Sequence, residues 1–443
     1  MASAKRICII GAGASGICAA RHIIKINELL QNTTDTEFIP VVYEKNKHVG
    51  GTWIYNNDAS QNVHSSMYKN LYTNLPKECM AFPDYPFPTS PNSYLHHTEV
   101  RKYLEGYTEN FNLKKYIQFD KEVQMIKPIA PNGCRKEVNE KWLVTTKDLK
   151  TGETETSEFV GIMICNGHYS IPYSPFVPGL KENFNGTVIH SHSYRDAHPF
   201  KSKTVLVLGA SNSGQDIGIE IAGVAKSVIL SSNNPPLLSP IPKNVTQALG
   251  VKSCTKESSF LLMDGSQVTE VDILLFCTGY KYSYPFLHET CKVSVISHMM
   301  IEPLYKHIIN INHPTMCFIG TCSAINPFPQ FNLQAKLFIR YLSNLIELPT
   351  KEEMQLELNN ELEAMKTEGI PLRHFHKLGM NQFNYNQDIA ALANVEDAPS
   401  YVAKLFFSVW QRRQEDVVMY KKDIYVWNED DNEYQIVQIK SKC

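Results

Sequence analysis

Several features that would assign this protein to a common class are missing from its 443 residues. The formal charge is only −2, so the chain has no basic field that would attract nucleic acid. No apolar run is long enough to span a bilayer, and no signal-peptide core precedes the first apolar strand. We therefore expect a cytoplasmic protein without a membrane span or a nucleic-acid partner, while secretion of a longer precursor stays open.

The sequence also lacks the motifs of thiol and metal chemistry. Its eleven cysteines are scattered without CxxC spacing, and no HExxH motif is present. Many of the cysteines lie in apolar segments, where cysteine behaves as a small hydrophobic residue. A disulfide-reductase flavoenzyme would need a redox-active CxxC, so that class is excluded and no metal site is expected.

What is present is a repeated strand–turn–helix–strand pattern, in a chain long enough for two domains. Residues 5–10 form a predicted strand, followed by a glycine-rich turn, a helix from 15 towards 30 and a strand at 38–43. The second unit has the same order, at residues 204–208, 213–225 and 227–230. Continuous apolar strands of this kind predict parallel sheets that are covered on both faces.

Proline-dense residues 171–179 and a loop ending at Pro285 are the predicted crossings between domains. The predicted fold class is α/β, with two dinucleotide-binding (Rossmann-like) domains and the smaller one inserted into the larger. The predicted limits are 1–170 for the first part of the larger domain, 171–285 for the inserted domain, and 286–443 for the return to the larger domain with a C-terminal helical region.

The first turn, Gly11-Ala12-Gly13-Ala14-Ser15-Gly16, is a complete GxGxxG. The first glycine allows the tight turn, the second lets the backbone approach a pyrophosphate, and the third lets helix and strand pack closely. The helix N-terminus then offers free N–H groups to phosphates. Glu44 ends the second strand, where a carboxylate can accept hydrogen bonds from a ribose diol, although a polar insertion at 31–36 lengthens the usual spacing. A glycine loop without a ligand is the alternative.

The second turn, Gly209-Ala210-Ser211-Asn212-Ser213-Gly214, followed by Gln215, has serine in place of the middle glycine. Residues 231–234 at the end of the next strand include no acid that would repel a 2′-phosphate. This favours NADPH over NADH, although no arginine in that stretch could hold the phosphate. The alternative is a structural copy of the unit that binds nothing.

Residues 184–194 resemble the FxGxxxHxxx(Y/F) fingerprint of the flavin-containing monooxygenases, with His190 and Tyr194 at its defining positions. The related Baeyer–Villiger enzymes have a similar fingerprint, with Trp at its last position. The resemblance extends through further motifs at Gly50-Gly51-Thr52-Trp53, 73–78, 82–87 and 277–280. The compact chain is most similar to the insect branch, which includes pyrrolizidine-alkaloid (senecionine) N-oxygenases.

This resemblance implies that FAD binds the first unit and NADPH the second. It also implies that O2 adds to the reduced flavin as a C4a-hydroperoxide, whose oxygen passes to an amine or thioether, with detoxification of a plant alkaloid as the expected role. By resemblance Asn74 is the catalytic residue near C4a. The other residues assigned to cofactor contacts by resemblance are Gly51, Thr52, Trp53, Thr73, Leu75, His190, Tyr194 and Gln334. His190 as an interdomain histidine, and Trp53 and Gln334 as ordinary packing residues, remain alternatives.

Two other functions stay open at this point. A Baeyer–Villiger monooxygenase would share the architecture and insert oxygen into ketones, whereas Tyr194 argues against it. A flavoprotein that binds nucleotides without turnover is compatible with Ser211. The sequence leaves a homo-oligomer open.

Overall fold

The computed structural model describes residues 3–31, 36–58, 65–129, 140–428 and 433–437. Residues 32–35 of the predicted polar insertion lie outside this range. The helices are Ala14–Leu30 (α1), Lys77–Met80 (α2), His97–Asn110 (α3), Leu180–Asn183 (α4), Asn212–Ala222 (α5), Pro327–Leu342 (α6), Lys351–Thr367 (α7), Gln382–Ala393 (α8) and Ser400–Glu415 (α9). The strands are Ser3–Ile10 (β1), Thr36–Tyr43 (β2), Ile117–Gln118 (β3), Lys121–Ile129 (β4), Lys141–Asp148 (β5), Thr154–Phe159 (β6), Gly161–Ile164 (β7), Ile171–Pro172 (β8), Thr187–His190 (β9), Thr204–Leu208 (β10), Ser227–Ser231 (β11), Val245–Ala248 (β12), Val251–Thr255 (β13), Ser259–Leu262 (β14), Gln267–Val268 (β15), Ile273–Phe276 (β16), Tyr280–Lys281 (β17), Ser294–Ile296 (β18), Met300–Glu302 (β19), Leu304–Tyr305 (β20), Ile309–Asn310 (β21), Met316–Phe318 (β22), Ile424–Asn428 (β23) and Glu433–Val437 (β24).

The larger sheet has the strand order β20-β21-β22-β7-β1-β2-β3, and β22, β7, β1 and β2 run parallel. Alternate residues of β1 enter two different cores. Ile7 and Ile9 pack with residues of α1 and α6, whereas Cys8 and Ile10 pack with Trp142 and other residues of the antiparallel β4-β5-β6 sheet. Because both faces of β1 are covered, every position along its buried part must be apolar.

The smaller sheet has the order β12-β11-β10-β16-β9, and all of its strands are parallel. Its strands come from residues 187–276, whereas the larger sheet draws strands from both sides of that stretch. Two segments of the chain connect the two sheets. These segments run side by side, since β8 of one pairs antiparallel with β17 of the other. The backbone N–H of Tyr173 also donates to the carbonyl of Gly279 at 2.9 Å. We keep 171–285 as the proposed limits of the inserted domain.

The C-terminal region contains the predicted helices and also a β-hairpin, in which β23 pairs with β24. Helix α6 packs on α1 and α8, and α9 packs on α2 in the larger domain. One side chain of α9, that of Arg413, also reaches the smaller domain. Within the described ranges, no helix has both the length and the hydropathy needed to cross a membrane.

Candidate functional site

The GxGxxG turn lies at the carboxyl edge of the larger sheet, where ligands bind in open α/β folds. β1 and β2 end in register, so Gly11 and Glu44 follow their last residues side by side. Glu44 is 5% exposed, and its Oε2 accepts the backbone N–H of Ala12 at 2.7 Å. Its Oε1 accepts the backbone N–H and the side-chain amide of Asn46, at 2.7 and 2.9 Å. The carboxylate is therefore fixed against the turn, and recognition of a ribose stays a prediction.

Glycine is required at different places in this turn for different reasons. Gly11 has φ +100°, and a Cβ at Gly16 would lie 1.9 Å from the carbonyl oxygen of Gly11. A Cβ at Gly13 would meet the Cα of Gly51 at 3.6 Å and its backbone nitrogen at 4.0 Å, both ordinary contacts. The protein itself therefore does not need glycine at position 13. The open backbone there fits the approach of a pyrophosphate.

The residues around the GxGxxG turn either present backbone groups at the edge of the sheet or support the turn. Ala14 and Ser15 are buried in the first turn of α1, where backbone N–H groups have no intrahelical partner. Gly51, Thr52 and Trp53 form a short 3-10 turn. The Thr52 hydroxyl lies 3.1 Å from that of Ser66, and Trp53 packs partly buried against the larger core. A dinucleotide at this edge would contact mostly backbone groups.

Asn74 lies on a loop that is fixed to the larger domain through the preceding residue, Thr73. The backbone N–H of Thr73 donates to the carbonyl of Leu95 at 2.8 Å, and the Thr73 hydroxyl accepts the Leu95 N–H at 3.0 Å. Thr73 and Leu75 are buried, whereas Asn74 between them is exposed. Within the described part of the chain, its side-chain amide has no hydrogen-bond partner. The loop thus holds a free amide on a rigid backbone.

The second glycine turn repeats the packing of the first. Gly209 has φ +102°, and a Cβ at Gly214 would lie 1.8 Å from the Gly209 carbonyl oxygen. Ser211 precedes α5 as its N-cap residue, but its side chain makes no capping hydrogen bond. Ser211, Asn212 and Ser213 are all exposed. These residues leave the N-terminus of α5 accessible.

Arg413 is a functional candidate that sequence reasoning missed. It comes from α9, and its guanidinium donates to the side-chain oxygens of Asn212 and Gln215. Gln215 in turn donates to the carbonyl of Ala210 at 2.8 Å. No local pattern identifies this arginine, because 198 residues separate it from Gln215. It places a positive charge beside the glycine turn of the smaller domain.

The fingerprint histidine holds the two connections together. His190 Nδ1 accepts the backbone N–H of His192 at 3.0 Å, so its Nε2 carries the proton and donates to the Gly279 carbonyl at 3.1 Å. Burial lowers the pKa of His190 to about 4, so the ring is neutral at pH 7. The interdomain alternative for His190 is therefore the one that its contacts support.

Two residues predicted to contact a cofactor are instead buried in the protein. Tyr194 is 1% exposed and packs in an aromatic cluster with Tyr68 and Phe200. Gln334 is fully buried, accepts the Gly320 N–H at 3.0 Å and donates to the Tyr385 hydroxyl at 3.0 Å. Neither side chain presents a free surface, so their contacts support a packing role, and direct cofactor contact by Tyr194 and Gln334 stays a prediction.

Three rings that the sequence did not predict to meet, those of His168, Tyr169 and Tyr280, lie together beside the two connections. We call this group the aromatic wall. Tyr169 is 45% exposed, and its ring centroid lies 4.2 Å from that of His168 and 5.5 Å from that of Tyr280. His168 donates from Nδ1 to the Gly320 carbonyl at 3.1 Å. Burial raises the pKa of the Tyr280 phenol and lowers that of His168 to about 4. All three rings are neutral at pH 7.

Two sheets that are joined by a double connection, each with a glycine turn after a parallel strand, are typical of proteins that bind two dinucleotides. Residues 4–241 and 237–409 match the FMO-like family, described as flavin-binding monooxygenase-like. The chain belongs to this family. Both the predicted α/β fold of two Rossmann-type domains and the predicted cofactors, FAD and NADPH, are confirmed.

Similar proteins are known from plants and bacteria. The chain is 30% identical over 440 residues to the flavin-containing monooxygenase FMO GS-OX-like 4 of Arabidopsis thaliana, covering 94% of this chain and 93% of the relative. The S-allyl-L-cysteine S-oxygenase of Allium sativum has a TM-score of 0.85 at 31% identity, with 97% of each chain covered. Tmm from Pelagibacter sp. strain HTCC7211 has a TM-score of 0.80 at 25% identity, covering 98% of this chain and 97% of that one. The resemblance to the insect branch stays a prediction.

Proposed function

We propose that this monooxygenase oxygenates the nitrogen or sulfur of small soft nucleophiles, with tertiary amines of the plant-alkaloid type as its physiological substrates. The observation that carries the proposal is the free amide of Asn74 on a loop fixed by Leu95. A donor that is already positioned stabilises developing negative charge without reorganisation. Asn74 is accordingly the proposed catalytic residue.

The protein's own residues provide position and charge. Bound FAD supplies hydride acceptance and oxygen activation. The backbone at Gly13 is the proposed site of its pyrophosphate, and Glu44 lies where its ribose would be. The amide N–H of Asn74 is the proposed donor at the reacting edge of the ring system.

Arg413 is the proposed cation for the phosphates of NADPH. Its guanidinium lies at the N-terminus of α5, whose free N–H groups and dipole already favour anions. Two carboxamides, from Asn212 and Gln215, orient the guanidinium without neutralising it. This supplies the positive charge that residues 231–234 lack.

The aromatic wall supports a neutral, soft substrate. Because His168, Tyr169 and Tyr280 are uncharged at pH 7, the exposed ring of Tyr169 offers a π face rather than an ion pair. An amine must then react as its neutral free base, and turnover should rise with pH through the amine's own pKa. Thioethers are the second candidate, supported by the name of the Allium sativum S-oxygenase at 31% identity.

The substrate class is tested by offering a tertiary amine, a thioether and a cyclic ketone under identical conditions. We expect N-oxide or S-oxide products, with the amine showing the highest kcat/KM. A clear preference for the ketone, with an ester as product, would show that the protein is a Baeyer–Villiger enzyme. NADPH consumption without any organic product would support a flavoprotein without oxygenation.

The role of Asn74 is tested by Asn74→Ala. NADPH should still reduce the flavin, while oxygenated product falls relative to hydrogen peroxide by roughly 10²-fold, the usual effect of losing one such donor. The matched control is Asn92→Ala, because Asn92 is exposed on a neighbouring loop. An unchanged ratio of product to peroxide in Asn74→Ala would refute the assignment.

A further inference from the structure

The segment just before Asn74 lies against helix α5 of the other domain. The Tyr68 hydroxyl donates to Asp216 Oδ2 at 3.4 Å, and the Asn70 amide donates to Glu220 Oε1 at 2.7 Å. Asp216 and Glu220 are four residues apart in α5, so they lie on one face of the helix. The chain leading to Asn74 therefore runs along the helix that begins at the NADPH turn.

Lys421, which follows α9, joins the same helix to the Asn74 loop. Its Nζ donates to Asp216 Oδ2 at 2.5 Å and to the backbone carbonyl of Tyr72 at 3.2 Å. The two charged side chains are only 21% and 17% exposed. A partly buried, charge-assisted hydrogen bond of this kind is stronger than an exposed ion pair. One ammonium group thus connects α5 to a carbonyl two residues before Asn74.

Thr73, the residue between Tyr72 and Asn74, is fixed to the larger domain independently. Thr73 is bonded to Leu95 through both its backbone and its hydroxyl. Asn74 is consequently held between the larger domain and a contact with the smaller one. A shift of α5 would reach Asn74 through Lys421 and Tyr72, because only Thr73 separates Tyr72 from Asn74.

We propose that Lys421 and Asp216 are a positioning pair for oxygen transfer. The pair holds the Asn74 loop at a fixed distance and orientation from the NADP+-binding end of α5, so that both remain next to the flavin. This inference rests on the proposed role of Asn74. Without the pair, the Asn74 loop and α5 each remain folded, but they move independently of each other. The oxidised cofactor then shields the flavin less well.

The expected consequence is a faster futile reaction. In that reaction NADPH and a proton give two electrons and two protons to O2, which leaves as H2O2 while NADP+ forms. The holoenzyme's rate of NADPH oxidation without substrate measures it directly. In Lys421→Met this rate should rise roughly tenfold, the equilibrium effect of losing one charge-assisted hydrogen bond. Flavin content and the anaerobic rate of flavin reduction should stay near wild type.

Three variants distinguish a positioning role from a structural one. Lys421→Arg, which keeps the charge and the donors, should stay near wild type, and Asp216→Asn, which removes the charge pair but leaves the Lys421 bond to the Tyr72 carbonyl, should raise the rate of substrate-free NADPH oxidation. Lys404→Met is the matched control, because Lys404 forms an exposed ion pair with Glu433 at 3.5 Å. Its oxidation rate should be unchanged.

A lower melting temperature in Lys421→Met without faster substrate-free oxidation would overturn the proposal, since it would indicate stability alone. Equal rates in Lys421→Met and Lys404→Met would overturn it as well. If Lys421→Met fails to fold, Asp216→Asn removes the same charge pair with an isosteric side chain, and an unchanged rate there refutes the inference. Because this readout needs no substrate, it is independent of whether the amine or thioether assignment holds.

Discussion

Replacing Gly13 with alanine separates cofactor binding from packing, because the protein leaves room for the added methyl group. A Cβ there would lie 3.6 Å from the Gly51 Cα, and φ is −76°, a value that alanine adopts freely. The same Cβ at Gly16 would lie 1.9 Å from a backbone carbonyl oxygen. We expect Gly13→Ala apoprotein to be as stable as wild type, and Gly16→Ala to lose roughly 1–3 kcal/mol or more.

The size of the flavin effect follows from binding linkage. FAD at 100 times its Kd stabilises the folded state by roughly 2.7 kcal/mol. For the proposed larger domain, which has about 330 residues, this raises Tm by roughly 4 °C. Gly13→Ala should lose most of this increase, because its methyl group occupies the space that the pyrophosphate approaches. The measurements are the ratio of flavin to protein after purification, and thermal unfolding with and without added FAD.

The matched control is Gly223→Ala at the end of α5, where φ is −62° and a Cβ would lie 3.4 Å from the Glu220 carbonyl oxygen. It should keep both its flavin and its thermal shift. If Gly13→Ala purified yellow and showed the full increase in Tm, the open backbone at Gly13 would not be a pyrophosphate site. Loss of NADPH binding alone would reverse the assignment of the two cofactors.

Two further outcomes follow from single side chains. Arg413→Met should weaken NADPH binding by roughly 10- to 100-fold, which is the effect of losing a hydrogen bond to a charged group. The FAD content should be unchanged. Equal Kd values for NADPH in titrations of the variant and the wild type would contradict this prediction. His22 is 4% exposed and bonded to Asn332 at 2.8 Å, and burial lowers its pKa to about 3. Its contribution to stability is complete above the unfolded pKa near 6.5 and should fall by roughly 3 kcal/mol as pH drops to 4. Urea unfolding of wild type and His22→Gln checks this, since the variant should show a flatter pH dependence.

The first nucleotide turn was predictable because everything that determines it is local. Strand, glycine spacing and helix follow one another between Ser3 and Leu30, and Glu44 comes at the end of the next strand. Each glycine has its own steric reason, which the sequence pattern already states. The second turn was predictable for the same reason, and the structure shows that Ser211 alters the surface of the turn without altering its packing.

Residues whose role depends on distant contacts were not predictable from local pattern. Arg413 lies 198 residues from Gln215, and Lys421 lies 205 residues from Asp216. The type of a residue also does not tell whether its side chain points into the core or towards a ligand. Tyr194, in a recognisable fingerprint, points into an aromatic core. Sequence similarity identifies such a position, but burial decides what its side chain can touch.

The two residues proposed to control oxygen transfer should differ in their effect on NADP+ affinity. Coupling between two sites is reciprocal, so if NADP+ on α5 holds the Asn74 loop in place, loosening the loop must weaken NADP+ by the same factor. Asn74→Ala removes an exposed amide and leaves the bonds of Tyr72 to Lys421 and of Thr73 to Leu95 intact, so the Kd of NADP+ should not change. Lys421→Met breaks the connection itself, and the Kd should rise. Titration of both oxidised variants with NADP+ tests this, and a larger change in Asn74→Ala than in Lys421→Met would mean that the amide itself, rather than the connection between the domains, holds the cofactor.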